Sequence, residues 1–586
     1  MNTMTEAKNL ATATRRAFGR ARMGAPEAFV ETLVAHQVKD VFGTIGSSRP
    51  DALDLLPGAG IRLVTVAHQQ SAAHVADGYG RVSNRGAVCI APDGPGFANC
   101  VTAVAAAYWA RTPLVVVTPE AASLAAGHGG IFAAGHAPIL SKITKWQAHV
   151  SSPLQLADLM HRAFTIALHE RGPVHISIGD EGFRGEGEYE IRAPLVIERS
   201  AGGTRSLTRA AQLLAEARFP VIVAGEGAVT ADGFDDVRAL AEQLTAPVVN
   251  TFRHNDTFPA SHVLACGPLG THGSKAAMRI LARADVVLAL GTRLGGVPPR
   301  QDGESWREDV SIIQIDSDER TLGVASEVAL AIHGDARLAA QELLGHFRGR
   351  TGRKPDKARL AEVQHEKESW IAELASLPSP NRKGQVGARR ALAQLARALP
   401  RNAMISTDVG NVCSLAGSYL GFEQPGSFLA AMGEASRGCA YPTALGAKLA
   451  QPERPAIAYV GEGAWATSLA EVMTAVKEKI PAIAVVFNNG QGGAERRGQT
   501  DGIGGRVLAI PASPDFSEVA RVMGAEGYRA EYEDEVADAL KAALKSGKPA
   551  VVEIMVTPER GEIFGREGTR KTRGRSSQQR ETVAAD

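Results

Sequence analysis

The chain has little of what marks several classes of protein. Only five of its 586 residues are cysteine (Cys89, Cys100, Cys266, Cys413 and Cys439), and no two of them stand in a C-x-x-C spacing. That argues against a zinc site or a disulfide framework and fits a reducing cytoplasm. No apolar run reaches the roughly 18 residues that a membrane-spanning helix needs. Excess charge is missing too: 64 Lys and Arg stand against 63 Asp and Glu, a net charge of +1. Such a balance gives no electrostatic case for nucleic acid or a membrane as partner. What is present is ordinary for a globular chain, with 44% hydrophobic and 22% charged residues. The length suits about three or four domains of ~150 residues each.

Alternation of short apolar runs with helical patterns gives three α/β units. Residues 23–190 alternate strand and helix: VFGTIG, LVTVAH, a small-residue helix QQSAAHVADGYGR with Ala72, Ala73, Val75 and Ala76 inward, then GAVCIAPDGPGFANC and PVHISIG. Residues 200–350 form a second unit with strands PVIVAGEG, PVVNT, DVVLALGTRL and SIIQIDSDE. Gly225-Glu226-Gly227 invites a dinucleotide reading, but the full G-x-G-x-x-G is absent. Residues 351–384 are charged and read as linker plus a solvated helix. Residues 385–562 form the third unit. The fold class expected is α/β, three consecutive parallel-sheet domains. The basic residues 1–22 lack the apolar core of a signal peptide and are expected to be a solvated arm. The polar, basic tail 563–586 is expected to be disordered.

The most informative stretch is AIAYVGEGAWATSLAEVMTAVKEKIPAIAVVFNNGQ, residues 456–491. AIAYV reads as a buried parallel strand. Gly461-Glu462-Gly463 follows where the chain must turn, and Leu469, Val472, Met473 and Val476 recur at helical spacing. A second strand, AIAVVF, ends in Asn488-Asn489. Both strand ends lie on the edge where parallel sheets bind ligands. Glycines let backbone N–H groups approach phosphate, and the following helix adds its dipole. Glu462 and an Asn489 oxygen are hard ligands suited to Mg²⁺. On Gly-Glu-Gly alone a ligand-free Rossmann-like turn stands as well; the amide pair favours the cofactor.

GEGAW…FNN resembles the thiamine diphosphate pattern written GDG…NN, and the three units in this order resemble the thiamine-diphosphate enzymes of the acetolactate synthase type. Within them, GHGGIF, KITKWQAHV, STDVGNVCSLAGSYLGFEQPGSF and above all GAERRGQTD look most like the sulfoacetaldehyde acetyltransferases. The resemblance implies thiamine diphosphate and Mg²⁺ as cofactors, with the metal on Glu462, Asn489 and the carbonyl of Gln491. It implies cofactor binding by Gln69, Gly94, Asn99, Gly410, Asn411, Gly438, Gly461, Gly463 and Ala464. The implied reaction is cleavage of sulfoacetaldehyde by phosphate to acetyl phosphate and sulfite, with the cofactor as electron sink. The implied partners are an aldehyde sulfonate, phosphate, and a second copy of the chain in a homodimer or homotetramer. Arg496 and Arg497 are candidates for the oxyanions, as planar forks, or a solvent-exposed charge pair. His68 and His128 are candidate proton-transfer groups, or structural histidines.

The chain departs from the resembling pattern at several positions. Gln69 stands where the family has the glutamate that pairs with the cofactor pyrimidine; an amide can hydrogen-bond there but cannot stabilise a protonated ring as a carboxylate does. The carboxylate has either moved to Asp93, or Asp93 is a turn residue. The family's GGFQE reads Gly129-Gly130-Ile131-Phe132-Ala133. Arg437 precedes Gly438, where a small or apolar residue is usual; beside a thiazolium it must turn away or pair, for instance with Glu434. Glu462 replaces Asp and is one methylene longer, against Mg²⁺'s strict geometry. Two alternatives therefore stand: another thiamine-diphosphate lyase or decarboxylase of 2-oxo acids, and a degenerate, non-enzymatic paralogue.

Overall fold

The computed structural model describes residues 19–46, 51–120, 136–270, 273–295, 307, 309–348, 355–431, 436–490 and 513–558. The first unit opens with β1 (Gly19–Gly24). Its sheet holds β2 (Asp40–Gly43), β3 (Arg62–Thr65), β4 (Ala87–Ile90), β5 (Leu114–Glu120), β6 (Gln147–Val150) and β7 (Pro173–Gly179), and β8 (Glu186–Ile191) returns to pair antiparallel with β1. The second contains β9 (Pro220–Ala224), β10 (Val248–Asn250), β11 (Ala265–Pro268), β12 (Val286–Leu290), β13 (Ser311–Asp316) and β14 (Leu330–His333). The third contains β15 (Met404–Thr407), β16 (Phe428–Leu429), β17 (Ala456–Gly461), β18 (Ile483–Asn488), β19 (Glu526–Ala530) and β20 (Ala550–Met555).

Each unit is built on a six-stranded parallel sheet, the three α/β domains the alternation implies. The orders are β3-β2-β4-β5-β7-β6, β11-β10-β9-β12-β13-β14 and β16-β15-β17-β18-β20-β19. Counted from the first strand of each sheet, the first and third share the order 2-1-3-4-6-5, while the middle one runs 3-2-1-4-5-6. In such sheets ligands settle at the carboxyl ends of the strands where the winding reverses. In the third unit that point lies between β15 and β17; in the first it lies between β2 and β4.

Five helices position the site, α1 (Gln69–Ser83), α2 (Pro95–Trp109), α4 (Ala440–Ala450), α5 (Glu462–Ser468) and α6 (Glu471–Glu478), and α3 (Lys357–Ser376) lies between the second and third units in the chain. One apolar core runs across the first and third units, with Phe42, Ala72, Ala76 and Tyr79 joining Tyr441, Leu445, Trp465 and Val472. It forms because α1 and α4 cross with their backbones almost touching. A Cβ on Gly78 would collide with the Thr443 carbonyl, and one on Gly446 with the Val75 carbonyl. The small residues read as the inward face of α1 are thus the seam between two domains.

Two expectations change. The basic arm ends earlier than residue 22, because β1 takes residues 19–24; Arg20 and Arg22 sit beside Glu190 and Glu186 on β8. The charged segment does form a helix, α3, but one face is docked rather than solvated. Arg359, Val363, Glu366 and Trp370 are buried, Arg359 donates to the carbonyls of Arg218, Leu244 and Thr245, and Glu366 meets Arg279 and Arg283. At Gly225-Glu226-Gly227 the acid is occupied: buried Glu226 faces Arg293 at 3.3 Å and Arg111 at 3.9 Å. The tail 563–586 and residues 1–18 lie outside the described residues.

Candidate active site

In the third unit, β17 ends in Gly461, and α5 begins at once with Glu462. Among the described residues, a Cβ at Gly461 or at Gly410 would meet no atom within 4 Å, so none of them fills the space in front of these turns. Gly410 (φ 140°) follows β15 and precedes the helix opened by Asn411. These two turns flank the reversal point of the sheet. Glu462 and Ala464 are buried. The helix after the turn is short, seven residues, before the chain re-forms as α6. On the neighbouring strand, Asn488 is committed inward: its Nδ2 donates to Glu553 at 2.7 Å and its Oδ1 accepts from the Gly490 N–H at 2.9 Å. Asn489, half-buried, follows it at the strand end. Gly461 lies opposite Phe487 in the ladder, so Glu462 and Asn489 leave adjacent strands side by side.

A carboxylate and an amide on neighbouring strand ends, next to open glycine turns, fit a Mg²⁺-bridged diphosphate by their chemistry. Among the described residues no three His, Cys, Asp or Glu gather as a metal cluster. Gln491, the third ligand the resemblance implies, lies outside the described residues, as do His128, Arg496, Arg497, Glu434 and residues 129–133.

The loop before α4 closes over this turn. Gly438 (φ 80°) packs so tightly on α5 that a Cβ would strike the Thr467 hydroxyl. Arg437 is exposed, and its guanidinium leans on the turn: a Cβ on Gly463 would lie 2.8 Å from Nη2. The loop is anchored by Asp408, a buried residue not singled out from the sequence. Its carboxylate accepts from the Ala440 N–H at 3.1 Å and the Val409 N–H at 2.9 Å. Burial pushes its pKa up to about 6, against the pull of N–H groups on Ala440, Val409, Gly438 and Cys439.

The first unit brings the amino end of α1 to the same loop. His68 caps the helix, its Nδ1 accepting from the Gln70 N–H at 3.2 Å, which commits that nitrogen to a structural bond. The Gln69 Oε1 accepts from Asn99 Nδ2 at 3.0 Å, so two expected cofactor residues meet. Gly94 (φ 60°) begins α2, with Asp93 buried ahead of it. Gln70 Nε2 donates to the Ser436 hydroxyl at 3.3 Å, and His74 Nε2 lies 3.1 Å from the same oxygen. Burial lowers the His74 pKa to about 4, so its ring is neutral. A second residue that sequence reading missed holds this joint: the Glu471 carboxylate, fully buried at the start of α6, accepts from the Ala67 and His68 N–H groups at 3.2 and 3.1 Å and from Thr474 at 2.7 Å.

Known families match each unit in turn. Residues 23–134 match the N-terminal TPP binding domain of thiamine pyrophosphate enzymes, 207–343 their central domain, and 408–554 their C-terminal TPP binding domain. The chain is 45% identical to a sulfoacetaldehyde acetyltransferase of Castellaniella defragrans, over 94% of this chain and 96% of that one. It is 44% identical to one of Alcaligenes xylosoxydans xylosoxydans, over the same shares. A probable acetolactate synthase large subunit of Methanocaldococcus jannaschii is 30% identical over 92% of each chain. No helix among the described residues is long and apolar enough to cross a membrane. With all three domains matched in order and near full-length relatives at this identity, the chain belongs to the thiamine pyrophosphate enzyme family, alongside its sulfoacetaldehyde acetyltransferases.

Proposed function

We propose that this protein is a thiamine-diphosphate- and Mg²⁺-dependent acyltransferase that cleaves sulfoacetaldehyde with phosphate, giving acetyl phosphate and sulfite. The observation that carries the reading is 45% identity over 94% of the chain to a relative of that name. The site supports it. Glu462 and Asn489, with the Gln491 carbonyl, would hold the metal; the turns at Gly410-Asn411 and Gly461–Ala464 would take the diphosphate, with Gly438 closing over them. Gln69 and Asn99, with Gly94 beside them, would face the pyrimidine. When bound, the cofactor supplies a carbon nucleophile and an electron sink. Gln69, fixed by Asn99, offers a neutral hydrogen bond to the pyrimidine in place of a carboxylate. His68 reaches any proton through Nε2 alone, since Nδ1 accepts the cap bond. Arg496 and Arg497 would hold the sulfonate or phosphate oxygens, and His128 would serve proton transfer.

The protein acts in the cytoplasm as a homodimer or homotetramer, with the site completed at the contact between copies. The exposed Ala98, Asn99 and Thr102 on α2, next to Gln69, support an uncovered surface there. The test is purified protein with thiamine diphosphate, Mg²⁺, phosphate and sulfoacetaldehyde, following sulfite and acetyl phosphate together. Equal release of both, only with cofactor, is expected. Neither product, with CO₂ released from a 2-oxo acid instead, would replace this reading with a lyase.

A further inference from the structure

The placement of Arg437 gives it a task. Both of its neighbours are fixed. Ser436 is buried between Gln70 and His74 of α1. Gly438 is wedged against Thr467, whose hydroxyl donates to the Ala464 carbonyl at 2.7 Å, and the Asp408 carboxylate holds the backbone that follows. The side chain between these anchors is exposed and leans over Gly463, with Nη2 2.8 Å from where a Cβ would stand. Any side chain at 463 would displace it. A guanidinium in this place can present a planar fork of donors to an anion on the turn.

We infer that Arg437 is a receptor for the cofactor's diphosphate, sharing its charge neutralisation with the divalent metal. The inference rests on the functional reading above, since it takes the glycine turn as the diphosphate seat. It also gives a reason for Glu462. Mg²⁺ is strict about geometry, so a carboxylate one methylene longer than Asp would hold it less well, and a cation on the turn would offset the weaker metal bond. The arginine is a binding residue here, and the carbon chemistry stays with the cofactor.

The experiment is equilibrium titration of the full chain with thiamine diphosphate, by calorimetry, in saturating Mg²⁺ and in EDTA. Wild type, Arg437→Met and Arg437→Lys are compared. Methionine keeps the length and flexibility of the side chain without its charge; lysine keeps the charge without the fork. In EDTA, wild type is expected to retain measurable affinity and Arg437→Met to lose about 10- to 100-fold, the range for a charge-assisted hydrogen bond. In Mg²⁺ the loss is smaller, and Arg437→Lys falls between. Thermal unfolding of the cofactor-free variants, measured alongside, separates a loss of fold from a loss of affinity. Wild type that binds, with Arg437→Met indistinguishable from it or tighter in both buffers, overturns this inference and leaves the functional reading intact. Wild type that binds no cofactor even in Mg²⁺ overturns both.

Discussion

Gln69 and Asp408 act on the site in opposite ways, one by lacking a charge and one by burying it. The Gln69 amide is held by Asn99 through an oxygen that a glutamate would also offer. Under the proposed function, Gln69→Glu keeps the length and the Asn99 bond, and would add the negative charge that favours a protonated pyrimidine. Turnover of sulfoacetaldehyde is expected to rise about 10- to 100-fold, at or below the lower end of what a positioned acid–base group contributes; a fall in kcat would mean that this pocket is tuned to the neutral amide. Asp408 is read through pH. Its folded pKa, about 6, lies above the ordinary 3.8. Between about pH 4 and 6 the folded chain holds a proton that the unfolded chain has lost, so this residue's contribution to stability grows as pH falls and is lost as pH rises through that window. The full effect is about 3 kcal/mol at most, because each pH unit between the folded and unfolded values is worth about 1.4 kcal/mol. Asp408→Asn has no such titration, so its Tm relative to wild type should climb from pH 4 to 6 and then level off. A constant difference would show that Asp408 titrates normally. Gln69 was singled out in the sequence because it breaks a pattern. Asp408 and Glu471 were not, because each works by accepting N–H groups far away in sequence: Ala440 is 32 residues from Asp408, and His68 is 403 from Glu471.

The strands β17 and β18, with α5 and α6 between them, were readable from apolar runs, a glycine turn and helical spacing, because those signals are local. The break of the connecting helix into α5 and α6 was not, nor was the use made of α1. Its run of small residues identified an inward face but not the α4 helix it packs against, more than 350 residues later. That contact is a close backbone crossing, and it makes Gly446 intolerant of any side chain. Gly446→Ala would favour an isolated helix by roughly 0.8–1.0 kcal/mol, yet here it must push α4 off the Val75 carbonyl. Overpacking of this kind costs about 1–3 kcal/mol or more. The Tm of the cofactor-free protein is expected to fall, and cofactor affinity with it, since the loop at Gly438 leads directly into α4. A Tm equal to or above wild type would mean that the two helices do not cross this closely.

The three-domain plan was legible because strand and helix alternate throughout, but the joints between domains were not, and the clearest of them carries buried charge. Arg111, just past α2 in the first domain, reaches Asp316 at 3.3 Å, Asp318 at 3.4 Å and Glu226 at 3.9 Å, all in the central domain. Its side chain is only 10% exposed and that of Asp316 only 2%. Burial raises the Asp316 pKa, and Arg111 is the first of the influences that pull it back. Arg111→Met fills the same space but leaves buried Asp316 without its cation, while Glu226 keeps Arg293 and Asp318 keeps Arg320. Breaking a buried pair by removing one partner costs about 3–5 kcal/mol, so the variant should unfold at a lower temperature at neutral pH. The sign of its pH dependence distinguishes this cause from a packing defect. Without Arg111 the Asp316 pKa rises further above its unfolded value. The uncompensated charge then costs stability only above that raised pKa, and the cost disappears as pH falls through it. The Tm gap between Arg111→Met and wild type should therefore be widest at neutral pH and narrow as pH falls. A gap that stays constant would assign the loss to packing and remove the ion cluster as the clasp between the first and central domains.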